Sequence, residues 1–71
     1  MDNMNQIHNA QNEVKALFGR KLKAALSAKS WNQSDLAKAT GLGRDSISTY
    51  VRGLTMPDPK NLKKLAEALE V

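Results

Sequence analysis

Arg44, Asp45, Ser48, Thr49 and Arg52 are the residues whose types and spacing could do chemistry together. On a helix turning about 100° per residue they share one side, between about 0° and 140° from Arg44, whereas Tyr50, Ile47 and Val51 fall between about 240° and 340°. Every side chain on the polar side can hydrogen-bond. A guanidinium can fork onto O6 and N7 of guanine, a threonine methyl can meet the methyl of thymine, and a carboxylate can accept from cytosine N4. Such a set could meet base edges in a duplex. Arg44 falls at the start of the helix, where the dipole disfavours a cation, so its placement suggests a role other than helix stability. Asp45 is the odd member, because phosphates repel it. It can accept from a cytosine amine, hold Arg44 in place, or serve as an acid favoured by the helix N-terminus. An ordinary solvated helix face is the alternative for the whole set.

The elements that would position these residues can be read from local signals. Asn32 can cap a helix over Gln33 to Thr40, with Asp35 in its acidic first turn. Gly41 supplies a left-handed residue that ends this helix, and Leu42 is an apolar plug in the turn. The next helix spans about 44–52, and Gly53 closes it in the same way. Two short helices about a glycine turn, with the second presented outward, form the helix-turn-helix, whose second helix lies in a DNA major groove.

Upstream, apolar residues at Val14, Leu17, Phe18, Leu22, Ala25 and Leu26 make one inward stripe of an amphipathic helix over about 11–29. Gly19 interrupts it at a propensity cost of about 1 kcal/mol, which a close helix crossing would explain. Residues 1–10 are polar, rich in Asn and Gln, and lack apolar periodicity; they are expected to be a disordered tail. Downstream, residues 54–57 read as a loop. Asp58 followed by Pro59 is a helix start, and the last helix, about 59–70, carries Leu62, Leu65, Ala66 and Leu69 inward. No strand pattern or internal repeat is present. The expected fold is all-α, a bundle of four short helices.

Seventy-one residues make at most one small domain. With no cysteine and one histidine, His8, neither a disulfide framework nor a zinc site is expected. No transmembrane span or signal peptide is visible, so the expected compartment is the cytoplasm. The net charge of +4 and pI of 9.7 mildly favour an anionic partner. The excess lies between Glu13 and Ser30, where Lys15, Arg20, Lys21, Lys23 and Lys29 oppose one glutamate. That helix face is either simply solvated or directed at phosphates.

In register and without gaps, the chain from about Phe18 to Val71 resembles the lambda-repressor-like (Xre/Cro type) helix-turn-helix family. The landmarks are Trp31-Asn32-Gln33, Leu36-Ala37, Thr40-Gly41-Leu42, Ile47-Ser48, Tyr50, Arg52-Gly53, Pro57, and Leu62, Leu65-Ala66 and Leu69. The resemblance implies that Arg44, Asp45 and Thr49 read bases, with Ser48 a weaker candidate for base or backbone. It implies sugar-phosphate contacts for Ser46 and Arg52. Gln33 would touch a phosphate and brace the first reading residue, and Asn32 could touch phosphate through its backbone or side chain. Many relatives pair an arginine late in helix 1 with a glutamate late in helix 3. Leu26 and Val51 stand there in this chain, an apolar replacement that can cost no stability. The family usually adds a fifth helix that often makes the dimer contact, so this chain is expected to be a domain cut from a longer protein.

The function so implied is sequence-specific binding of double-stranded DNA by a phage or bacterial transcriptional regulator, most simply a repressor. A homodimer would occupy a two-fold operator with half-sites about one helical turn, roughly 34 Å, apart; this piece alone could be a monomer in solution. The alternative is a protein-interaction module on the same fold, an antitoxin or adaptor, which the modest charge and Asp45 keep open. An enzyme is not expected, and no cofactor or metal is implied. The Gly41-Leu42-Gly43 segment lacks the preceding strand and third glycine of a nucleotide loop, and Asp45, Ser46 and Ser48 have no nearby histidine. Trp31 and Tyr50 read as packing residues rather than base-stacking platforms.

Overall fold

The computed structural model describes the backbone of residues 3–70 and the side chains of residues 12–70. Four helices follow one another: α1 (Asn3–Lys29), α2 (Gln33–Thr40), α3 (Arg44–Val51) and α4 (Pro59–Leu69). No strand occurs among the described residues. The expected all-helical fold is the one observed.

α1 departs from expectation at its start. It begins at Asn3, inside the segment expected to be a disordered tail, while residues 1 and 2 lie outside the described residues. No proline or glycine occurs between Asp2 and Phe18, and a helix anchored downstream extends at little cost once its nucleus exists. Its 27 residues span roughly 40 Å and account for most of the 45 Å long dimension of the molecule.

α1 ends without the usual glycine. Ser30 takes the left-handed conformation (φ 58°). The Ser30 N–H donates to the Ser27 carbonyl at 3.0 Å and the Trp31 N–H to the Leu26 carbonyl at 2.9 Å. These bonds are the pair that defines a Schellman motif, and Trp31, half-buried against the core that contains Leu26, supplies its apolar clasp. α3 ends in the same way with glycine in the corresponding place: Gly53 has φ 76°, its N–H reaches the Tyr50 carbonyl at 3.1 Å, and the Leu54 N–H reaches Thr49 at 2.9 Å.

α2 and α4 have side-chain caps. Asn32 Oδ1 accepts from the Asp35 N–H at 2.9 Å, and Asp35 Oδ2 accepts from the Asn32 N–H at 2.9 Å, a reciprocal capping box. Asp58 Oδ1 accepts from the Asn61 N–H at 2.8 Å, with Pro59 as the first helical residue.

The core draws on every helix: Leu22 and Leu26 from α1, Leu36 from α2, Ile47, Tyr50 and Val51 from α3, Leu65 and Leu69 from α4. Leu26 and Val51, the apolar pair expected in place of an ion pair, are both buried. Gly19 has a clear purpose. A Cβ there would lie 2.7 Å from the Val51 carbonyl oxygen and 3.0 Å from that of Tyr50. Across the same crossing, a Cβ on Gly53 would lie 3.1 Å from the Ala16 Cα. The two glycines let α1 and the end of α3 touch backbone to backbone.

Part of the apolar stripe expected inward on α1 is not buried. Val14 is 55% and Leu17 45% exposed, so the short helices leave this part of the stripe uncovered. Leu62, also expected inward, is 42% exposed. It stands at an apolar groove of about 290 Å³ between α1 and α4, lined by Phe18, Leu22, Ala25, Leu62, Leu65 and Leu69 among others. α1 and α4 touch too little to close it. No helix of the described residues is long and apolar enough to cross a membrane.

Candidate nucleic-acid interface

The turn between α2 and α3 is built from Thr40 to Gly43. Gly41 is left-handed (φ 77°), and its N–H caps α2 by donating to the Ala37 carbonyl at 2.8 Å. Thr40 Oγ1 donates to the Leu36 carbonyl at 2.8 Å and accepts from the Leu42 N–H at 3.2 Å, tying the turn back to the helix it leaves. Leu42 packs partly buried against the core, so the turn is anchored by both hydrogen bonds and apolar contact. Gly43 is the N-cap of α3, in extended conformation and with no side-chain cap.

This turn delivers α3 with one face sealed. Ile47 is fully buried, and Tyr50 and Val51 are nearly so. The Tyr50 hydroxyl accepts from Asn61 Nδ2 at 3.2 Å, which satisfies the buried phenol and links α3 to the start of α4. With that side buried, Arg44, Asp45 and Arg52 are exposed and Ser48 and Thr49 half-exposed. The structure therefore brings all five candidate residues to the outward side of α3, as the helical period requires.

Several finer expectations meet the geometry differently. Asn32 cannot offer its backbone N–H to a phosphate, because Asp35 Oδ2 already accepts from it; the side-chain amide N–H groups remain. Among the described residues, Gln33 makes no hydrogen bond to Arg44, and Asp45 makes no ion pair with Arg44. Asp45 lies in the first turn of α3, where the dipole favours it. Ser46 is half-buried, and its carbonyl accepts from Thr49 Oγ1 at 2.8 Å. Thr49 Oγ1 also accepts from Thr55 Oγ1 at 2.9 Å. Thr55 carried no signal in the sequence beyond being a hydroxyl residue in a loop. The Schellman turn at Gly53 is what folds the loop back over α3.

The basic residues of α1 divide. Lys29 is engaged within the fold, 5.2 Å above the Trp31 ring and 3.5 Å from Glu70 Oε1. Lys15 and Lys23 lie four residues either side of Gly19, on the row of α1 that crosses the end of α3.

The family model described as Helix-turn-helix matches residues 22–71, more than half of the chain. The chain belongs to the Xre/lambda-repressor-like helix-turn-helix family, a family of DNA-binding transcription-regulation domains. The chain has no match among curated proteins or among solved structures.

Proposed function

We propose that this domain binds double-stranded DNA sequence-specifically as part of a transcriptional regulator, most simply a repressor that occupies its operator. The observation that carries this reading is α3. Its apolar side is sealed by Ile47, Tyr50 and Val51, and its opposite side offers Arg44, Asp45, Ser48, Thr49 and Arg52 to solvent on a turn pinned by Gly41 and Leu42. In this reading α3 enters the major groove. Arg44 forks onto guanine, Asp45 accepts from a cytosine amine, and Thr49 meets a thymine methyl, with Ser48 beside them. Gln33, Ser46, Arg52 and the side-chain amide of Asn32 hold the sugar-phosphate backbone. Lys15 and Lys23 add positive charge beside the Arg52 end of the helix.

A homodimer on a two-fold site would set two copies of α3 in successive major grooves, about 34 Å apart. The test is selection of bound duplexes from a randomised pool at moderate salt, followed by sequencing. An enriched two-fold motif is the expected result. A single enriched half-site would show that this piece alone does not pair on DNA and would keep base reading. Failure to retain any duplex even at low salt would overturn DNA binding and turn attention to protein partners, as for an antitoxin or adaptor.

A further inference from the structure

We propose that Thr55, in the loop after α3, is a specificity-determining positioning residue: its hydroxyl holds Thr49 so that Thr49 presents a methyl group, and no hydrogen-bond donor, to the DNA. The proposal rests on the DNA-reading function above and names which base Thr49 selects and what enforces the choice.

The geometry is a short relay of hydroxyls. Thr55 Oγ1 donates to Thr49 Oγ1 at 2.9 Å, and Thr49 Oγ1 donates onward to the Ser46 carbonyl at 2.8 Å. A threonine hydroxyl has one proton. That of Thr49 is spent on its own helix, so Thr49 has no donor for guanine O6, purine N7 or thymine O4. Its oxygen is held toward the helix backbone, with one lone pair taken by Thr55, and the methyl is the apolar group Thr49 can present. In a helix, threonine divides between two χ1 rotamers, since its hydroxyl can bond a preceding carbonyl. A second hydrogen bond received from Thr55 selects one of them. Thr55 can do this because the Gly53 turn, with the Leu54 N–H on the Thr49 carbonyl at 2.9 Å, returns the chain over the last turn of α3. Thr55 is itself exposed and contributes nothing to the core, so its removal leaves the fold in place.

The thymine methyl can be deleted from the DNA rather than from the protein. In the enriched duplex each thymine is replaced singly by uracil, and the ratio of dissociation constants is measured for the wild type and for Thr49→Ser, Thr55→Val and Thr55→Ser, with helical circular dichroism as the folding control. The wild type is expected to weaken about three- to fivefold at one thymine per half-site, the scale of one buried methyl. Thr49→Ser and Thr55→Val should both bring that ratio to about one, and Thr55→Ser, which keeps the hydroxyl, should retain it. A folded Thr55→Val protein that still discriminates thymine from uracil as the wild type does would overturn the proposal. So would a wild type that enriches a motif yet is indifferent to uracil at every position, with the DNA-reading function left standing. Failure to enrich any motif would instead sink that function, and the role of Thr55 with it.

Discussion

Arg44, the first residue of α3, and Arg52, its C-cap, are both exposed at opposite ends of the helix and are expected to fail differently. Arg44 is the first helical residue, the end that a recognition helix directs at base edges. Arg44→Ala should cost about 1–3 kcal/mol on the preferred duplex and relax selectivity at one base pair. Equal weakening on all sequences would remove Arg44 from the base-reading set. Arg52→Ala should weaken preferred and scrambled duplexes alike and lower the slope of log affinity against log salt by about one. Titrations of both variants across a salt series separate the two roles. Gly43 provides a third contrast. Nothing lies within 4 Å of where its Cβ would be, its conformation suits any residue, and α3 has no side-chain cap. Gly43→Asp would supply one, with a stability gain of a few tenths of a kcal/mol. It would also set a carboxylate beside the DNA backbone. A melting temperature that holds or rises while duplex affinity falls is the expected pair of results.

At the scale of elements, two Schellman turns can be compared directly. Both close with the same pair of backbone bonds, but α1 ends on Ser30 and α3 on Gly53. A non-glycine residue held left-handed costs roughly 1–2 kcal/mol, part of which glycine returns through its freer unfolded chain. Ser30→Gly should therefore stabilise the domain by about 0.5–1 kcal/mol in denaturant unfolding. Gly19 presents the opposite case. Alanine is the better helix former, yet its Cβ would meet the Val51 carbonyl oxygen at 2.7 Å, an immovable backbone atom at the end of α3. Gly19→Ala should cost about 1–2 kcal/mol net, since overpacking outweighs the gain in propensity. Duplex affinity should fall with it, because the displaced atoms belong to the helix that carries Arg52 and Thr49.

At the scale of the molecule, eight buried side chains among the described residues, drawn from four helices, make one core with no disulfide to support it. A chain this size holds only a few kcal/mol of net stability, so its helices stand or fall together. Leu36 is fully buried. Leu36→Ala should cost about 2–5 kcal/mol, enough to leave the domain largely unfolded at room temperature, which a thermal scan by circular dichroism would show as the loss of a cooperative transition. Val14→Ala, on the exposed early part of α1, should stay within about 0.5 kcal/mol of the parent. A large loss at Val14 would mean that the outer turns of α1 are covered in solution.

Much of this architecture was legible because its causes are local. The limits of α2 follow from Asn32, Asp35 and Gly41, which act within four residues of the backbone groups they satisfy, and the start of α4 follows from Asp58 and Pro59 in the same way. The outward set on α3 was legible too, since 3.6 residues per turn sorts Arg44, Asp45, Ser48, Thr49 and Arg52 away from Ile47, Tyr50 and Val51 without knowledge of any partner. Burial on α1 was not legible. Val14 and Leu17 carry the same periodic signal as Leu22 and Leu26, and only the reach of α3 and α4 decides which of them is covered. The close crossing was signalled by Gly19, but its partner, the end of α3, was not, and neither was the return of Thr55 onto Thr49. Caps, turns and helical faces are set by neighbours along the chain and are therefore written in the sequence. Contact across space depends on the lengths and angles of packed helices, which only the folded chain resolves.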